Sequence, residues 1–396
     1  MKKETLVLAY SGGLDTSYSL KKLSQEGYEI HAVSVNTGGF SQEEIDTIEA
    51  KAYQMGAFTY QNINALEDFY QKIVKYLLFG NVLKNNTYPL SVSAERIIQA
   101  IEIVNYAKKV GAKYIAHGST GAGNDQVRFD LIFQVMAPEI KIITLIRDHQ
   151  LSREEEIKYL KAEGIDLPWE KAQYSINQGL WGTSVGGAET LTSHLPLPDA
   201  AYPNPLTEKE PIAVSLAFEK GELVGLNGTK GRAVSLIQQL QELAKKYAIG
   251  RDIHVGDTII GIKGRVGFEA AAPLILIKAH HLLEKHTLSK WQQFQKEQLS
   301  NFYGMQLHEG QYLDPVMRDI EAFMERSQER VSGKVFVKLY PHRFELEGIE
   351  SPFDLMQAEF GSYGEMNKGW TATEAKGFIK LTANATKIYQ HLNPKQ

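Results

Sequence analysis

The chain has 396 residues, 43% hydrophobic and 23% charged, with a formal net charge of -4 and a pI near 6.3. That length allows two domains with cores of their own, and the mild acidity gives polyanions no general attraction, which argues against a nucleic-acid substrate. The absence of cysteine excludes disulfides, thiolate metal sites, persulfide carriers and the cysteine nucleophile that frees ammonia from glutamine, so transferred nitrogen must arrive on the substrate itself.

Residues 1–4 (Met1-Lys2-Lys3-Glu4) lead directly into a β-branched, apolar run at 5–10 that reads as a buried strand. No secretory leader is expected, no apolar stretch approaches membrane-spanning length, and a cytoplasmic protein with no membrane partner is expected. Residues 17–26 read as the following helix, and further strands are expected at 29–36, 58–64, 113–118 and 141–147. Between them the clearest helix is 94–110, where Ile97, Ile98, Ile101, Val104 and Ala107 recur at three and four. The rhythm predicts an α/β domain: right-handed βαβ units, a parallel, doubly wound, Rossmann-like sheet, and ligands beyond the carboxyl ends of its strands. Gly12 and Gly13, residues 36–39 and residues 118–125 all follow strands and are expected to converge on one crevice.

A helix around 152–164 closes this part, and the pattern changes. Residues 184–187 and 195–205 look like turn-rich loops. A hairpin is expected at 211–218 and 222–226 about Lys220-Gly221, a helix at 231–247, strands at 257–263 and 273–279, helices to about Arg330, and a hairpin at 334–347. This is an α+β second domain. Thr371 and Glu374 form a capping box for an amphipathic terminal helix carrying Phe378, Ile379, Leu381, Ile388 and Leu392. Such a helix packs back on its own domain or crosses to a neighbouring subunit; the Gly-rich tether at 360–370 favours the second. The expected divisions are 1–168, 169–360 and 361–396.

Two segments carry chemistry. Ser11-Gly12-Gly13-Leu14-Asp15-Thr16-Ser17 sits where a strand feeds a helix. Free N–H groups and the helix dipole attract anions there, and glycines let backbone approach phosphate. It is not the Gly-x-x-x-x-Gly-Lys pattern, and an ordinary tight turn is the alternative. The second segment, from His117 through Thr120, Gly123, Asn124 and Asp125 to Arg128, packs glycines, hydroxyls, an amide, a carboxylate and an arginine into a dozen residues. Arginine grips a carboxylate with paired hydrogen bonds and Asp125 suits an ammonium group, so together they fit an amino acid. A solvated Asp125–Arg128 ion pair is the plainer alternative.

Residues 9–17 and 118–129 resemble the two signature stretches of the argininosuccinate synthase family, within the ATP pyrophosphatase group, and the likeness extends through Tyr88 to Ser93, Tyr174-Ser175 and Ser184. The resemblance implies an AMP-forming ligation of citrulline with aspartate through a citrullyl-AMP intermediate. It assigns ATP to Ala9, Tyr10, Ser11, Gly12, Gly13, Leu14, Asp15, Thr16, Ser17, Val35 and Gly118. It assigns aspartate to Thr120, Asn124 and Asp125, and citrulline to Tyr88, Ser93, Asn124, Arg128, Ser175 and Ser184. Asp15, Asp125 and Arg128 are the candidate catalytic groups, Asp15 as an organiser of the phosphate site. Mg²⁺ is expected with the pyrophosphate, without a site of protein side chains, and the family implies a homotetramer. Catalysis would be mostly alignment and charge stabilisation, with no single general base demanded.

This chain departs from the family's pattern at three positions. Ala122 stands where a lysine is usual, and Gly256 and Phe268 where the citrulline pocket usually has a glutamate and, twelve positions on, a tyrosine. Asp257 or Glu269 are candidate substitutes for the lost carboxylate. If neither serves, an N-acylated citrulline needs no acidic partner, and Gly256 leaves room for the acyl group. A rearranged loop that binds free citrulline is the alternative, as is another AMP-forming ATP pyrophosphatase.

Overall fold

The computed structural model describes residues 3–167, 169, 174–357 and 369–392. Strand and helix alternate through the first part: β1 (Thr5–Ala9), α1 (Leu14–Gln25), β2 (Glu29–Asn36), α2 (Gln42–Met55) and β3 (Thr59–Asn64). A helical run follows, α3 (Leu66–Phe69) and α4 (Lys75–Phe79) joined by a π-helical turn at Tyr70–Val74. Then come α5 (Ser91–Val110), β4 (Tyr114–Ala116), α6 (Asp125–Met136), β5 (Lys141–Ile143) and α7 (Leu145–His149). The sheet is parallel throughout, in the order β3-β2-β1-β4-β5. Helices cover both faces, so Leu6, Val7 and Leu8 are wholly buried whichever way they point. Chain order reverses between β1 and β4, and the loops after those two strands are the two Gly-rich segments.

The expected strand at 141–147 is shorter than its apolar run. Only Lys141, Ile142 and Ile143 pair with β4, and Leu145 onward coils into α7, which buries Ile146 against the β1 side of the sheet.

The first part closes with α8 (Arg153–Ala162), held by a Ser152–Glu155 capping box and packed on the β1–α1 core through Leu160. After it come β6 (Ser175–Gly179), β7 (Gly182–Gly186), β8 (Ile212–Glu219), β9 (Glu222–Leu226), β10 (Thr229–Lys230), α9 (Ala233–Ala244), β11 (Arg251–Asp257) and β12 (Lys263–Glu269). Helices α10 (Ala271–Thr287), α11 (Lys290–His308) and α12 (Pro315–Ser327) precede β13 (Gly333–Tyr340) and β14 (Arg343–Glu350). Two antiparallel sheets result, β10-β9-β8-β13-β14 and β11-β12-β7-β6.

Three expectations are corrected here. Residues 184–186 belong to β7, where Ser184 pairs with Phe268 on one side and Asn177 on the other; two partner strands hold a Gly- and Ser-rich segment that intrinsic propensity would not. Residues 258–262 are the connection between β11 and β12, and Asp257 and Lys263 pair across its two ends. Residues 273–279 lie inside α10, a helix so thoroughly buried that its apolar run has no helical stripe to read.

One hydrophobic cluster runs from α5 and α6 into α10, β8 and β13. The β6–β7 corner is anchored beside it: Trp181 is wholly buried and its Nε1–H donates to the Pro89 carbonyl at 3.0 Å, while Leu180 N–H donates to the Thr37 carbonyl at 2.9 Å. The four-stranded sheet thereby becomes a wall at the carboxyl end of β2. The terminal helices α13 (Ala372–Thr382) and α14 (Asn384–Leu392) carry the expected Thr371–Glu374 capping box and bury none of their residues. Of the expected tether, residues 360–368 lie outside the described residues.

Candidate active site

A cavity of about 930 Å³ opens beyond the carboxyl ends of β1 and β4. One end is formed by Ala9, Tyr10, Ser11 and Gly13 with Asp15 and Thr16 of α1, and Val35 and Gly118 flank it. The other is formed by Thr120, Asn124, Asp125 and Arg128, with Ser175 on β6 facing them. Gly12, Leu14 and Ser17 do not line the space. Gly12 has φ +74°, a conformation that costs an L-residue; Leu14 and Ser17 are buried, and the Ser17 hydroxyl lies 3.2 Å from that of Tyr10. These three give the loop its shape.

At the nucleotide end, Ser11 Oγ accepts from Gly13 N–H at 3.4 Å and lies 3.3 Å from the Thr16 hydroxyl. Hydroxyls and amides therefore gather at the N-terminus of α1, where an anion is favoured. Asp15 sits in the same turn and faces Glu156 of α8. Burial together with the charge of Asp15 pushes Glu156 up to about 8, and burial raises Asp15 as well, so near neutral pH the two carboxyls share a proton. Among the described residues, no three His, Asp or Glu side chains gather to hold a metal.

At the other end Asp125, first residue of α6, is clamped. Its Oδ2 accepts from Arg96 Nε at 2.9 Å and its Oδ1 from Arg128 Nη1 at 2.9 Å. Burial opposes its charge, but the two guanidinium groups hold its carboxyl below the usual carboxylate range. Arg128 also donates from Nη2 to Ser93 Oγ at 3.0 Å and from Nε to the His308 carbonyl at 3.0 Å; Arg96 Nη2 donates to Asn177 Oδ1 at 2.9 Å. Burial and the charge of Arg128 push the His308 imidazole down to about 3, so it stays neutral. Asn124 Oδ1 accepts from Ile259 N–H at 2.9 Å, which ties the β11–β12 connection to the site. His117 Nδ1 accepts from Ser119 N–H, leaving Nε2–H to donate to Asp130 Oδ1 at 2.8 Å, and Arg147 holds the other oxygen of Asp130 at 2.8 Å.

Tyr88, Ser93 and Ser184 are buried behind this end and do not line the cavity. The Tyr88 hydroxyl accepts from Val92 N–H at 3.2 Å, and its ring lies 5.3 Å from both His254 and Phe268. The room expected above Gly256 is already filled. A Cβ added there would fall 2.6 Å from His254 Nε2, so the glycine accommodates an imidazole of this chain and leaves no space for an acyl group. Neither candidate carboxylate replaces the missing one: Asp257 is paired with Lys263 at 2.6 Å, and Glu269 with Arg251 at 3.0 Å. Ala122 is exposed.

Sequence reasoning missed Glu95, Arg96, Glu156, Asn177 and His308. Glu95-Arg96 had a signal, two charges side by side at the start of the clearest helical pattern of the first part. The other three come from elements far along the chain and had none.

Two family models match: one described as the arginosuccinate synthase N-terminal HUP domain over residues 5–166, the other as the arginosuccinate synthase C-terminal domain over residues 174–389. The argininosuccinate synthase of Methanocaldococcus jannaschii is 38% identical over 388 residues, which is 97% of this chain and 97% of the relative. That of Dictyoglomus thermophilum is 36% identical over 391 residues, 98% of each chain. That of Pyrococcus furiosus is 36% identical over 381 residues, covering 95% of this chain and 92% of its own length.

Proposed function

The chain belongs to the argininosuccinate synthase family, and from that premise we propose how its crevice divides the substrates of a carbon–nitrogen ligation. The reaction is the ATP-dependent condensation of citrulline with aspartate in arginine biosynthesis. ATP lies with its phosphates over residues 11–17 and its adenine against Ala9 and the backbone of Val35. Aspartate takes Thr120, Asn124 and Asp125. Citrulline takes Asn124, Arg128 and Ser175, with Tyr88, Ser93 and Ser184 fixing the layer behind. Bound in this order along one crevice, the ureido oxygen of citrulline attacks the α-phosphorus and releases pyrophosphate, and the aspartate amine then displaces AMP. The protein contributes alignment and fixed charge: Arg96 and Arg128 are held by Asp125 before any substrate arrives, so little reorganisation accompanies the charge that develops.

Mg²⁺ enters with the nucleotide as its counter-ion. Asp15 with Glu156 makes only two carboxyls that already share a proton, so the metal would be held chiefly by phosphate oxygens, where it neutralises the leaving pyrophosphate. The terminal helices expose Phe378 (71%), Leu381 (71%) and Leu392 (75%), an apolar face that suits packing on a second copy. A homotetramer in the cytoplasm is the assembly this reading implies; among the described residues no helix is long and apolar enough to cross a membrane.

The observation that carries the reading is one crevice with an anion-binding helix start at one end and a carboxylate clamped between two arginines at the other. It is tested by pyrophosphate release. Release that requires both amino acids, with AMP and argininosuccinate formed in equal amounts, supports it; no release with both present overturns it.

A further inference from the structure

None of those roles uses Glu95, a carboxyl group buried in the wall of the same crevice. Glu95 is 2% exposed in the first turns of α5, immediately before Arg96. Its Oε1 is buried with no hydrogen-bond partner. The chain makes space for it at Gly179, where an added Cβ would fall 1.4 Å from that oxygen. Burial outweighs the neighbouring Arg96 charge and the Thr37 hydroxyl and pushes Glu95 up to about 8.

Four acids line the crevice, Asp15, Glu44, Glu95 and Asp125, and all but Glu95 are already engaged. Each oxygen of Asp125 holds an arginine, Asp15 shares a proton with Glu156, and Glu44 accepts from Ser41 N–H at 2.8 Å as part of the cap of α2. An amino-acid nucleophile arrives as an ammonium ion. It must lose a proton before its nitrogen can attack, and arginine-bound Asp125 is a poor acceptor.

We propose that Glu95 is the general base of the second step: its carboxylate takes a proton from the ammonium group of aspartate and holds the freed amine for attack. The inference rests on the substrate assignment above. One ammonium proton passes to Glu95 and leaves the nitrogen a lone pair. That nitrogen bonds to the activated carbon of the neutral isourea adenylate, the C–O bond breaks, and AMP departs with its electrons. The two remaining amine protons stay in the guanidinium group of the product. The charged and titratable groups around Glu95 are Arg96 on the same helix, Asp125 at the start of α6 and Tyr88 just before α5. Asp125 and burial keep the proton on at neutral pH, Arg96 and an incoming ammonium favour its loss, and a base near pH 8 is well matched to the transfer.

The test separates the two steps. In Glu95→Gln, kcat/KM for aspartate is expected to fall about 100-fold and to lose its rise toward pH 8. Citrulline-dependent exchange of pyrophosphate into ATP, which needs no aspartate, should fall far less. Glu95→Asp should recover part of the rate and keep the pH-dependent limb. An unaltered aspartate kcat/KM in Glu95→Gln overturns the inference, and so does an equal fall in both steps, which marks a packing role. Should Glu95→Gln fold poorly, the Glu95→Asp variant and the native enzyme decide: an aspartate kcat/KM flat from pH 6.5 to 9 in the native enzyme overturns the inference. Absence of exchange in the native enzyme overturns the substrate assignment, and the base with it; exchange present with Glu95→Gln unaffected removes the base alone.

Discussion

The two ends of the crevice are built on opposite electrostatic plans. The nucleotide end holds backbone amides and the hydroxyls of Ser11 and Thr16, and its nearby carboxyl, Asp15, sheds part of its charge by sharing a proton with Glu156. The amino-acid end is dense with charge that is already satisfied: Arg96, Asp125 and Arg128 form a chain of 2.9 Å contacts that reaches Ser93 and His308. A polyanion needs donors that are still free. A zwitterion needs charges fixed in direction beforehand, because orienting them after it binds would cost much of the binding energy.

Breaking the amino-acid end should have the largest effect. Arg128→Ala removes contacts to Asp125, Ser93 and the His308 carbonyl at once and leaves Asp125 with one partner. Disrupting a buried pair of this kind costs about 3–5 kcal/mol, so citrulline kcat/KM should fall by roughly 10²–10³ in a pyrophosphate-release assay. Arg128→Lys should recover little, since an ammonium group cannot serve three directions with the planar fork of a guanidinium. Recovery to within tenfold would show that the site needs only a positive charge.

The nucleotide end predicts a pH effect of definite sign. Glu156 lies well above its unfolded value when folded, so between roughly pH 4.5 and 8 the native state binds more protons than the unfolded one and stability falls as pH rises. Glu156→Gln removes that dependence with a group of the same shape. At pH 8.5 it should raise stability by about 1–2 kcal/mol, or several degrees in Tm, and at pH 4.5 the gain should vanish. A gain independent of pH would mean that folding does not raise the Glu156 carboxyl above its unfolded value.

How much of this was legible in the chain follows the same division. The phosphate loop could be read because its parts are contiguous: strand, Gly12-Gly13, hydroxyls, helix. Asp125 and Arg128 could be read for the same reason. Asn177 and His308 could not, because they come from elements up to 212 positions away from Arg96 and each is unremarkable at home, while Arg96 carried only the hint of two adjacent charges. Strand β7 was hidden because pairing with β6 and β12, not β-propensity, holds Ser184 and its glycines extended. Helix α10 was hidden by uniform burial, which erased the kind of amphipathic stripe that made α9 legible.

The pocket behind Arg128 offers a finer test of the same contrast. Gly256→Ala places a methyl group 2.6 Å from His254 Nε2, so the imidazole must leave its stack on Tyr88. A cost of about 1–2 kcal/mol should appear as a three- to tenfold rise in KM for citrulline with KM for ATP unchanged. Equal change in both would place the Tyr88–His254–Phe268 stack under the whole crevice and not under one end.

The smallest effect belongs to Ala122. It is exposed, in the connection between β4 and α6, outside the Arg96–Asp125–Arg128 chain that already fixes the charge at this end. A lysine there would be a solvated charge on a mobile stem, worth under about 1 kcal/mol to a nearby anion and screened by salt. Ala122→Lys should therefore lower KM for aspartate or ATP by no more than about threefold at low ionic strength, and the gain should vanish near 0.5 M salt, where the Debye length is only about 4 Å. A larger gain that survives salt would mean that the loop closes over bound substrate and buries position 122, making the amino-acid end less complete before binding than its network of 2.9 Å contacts indicates.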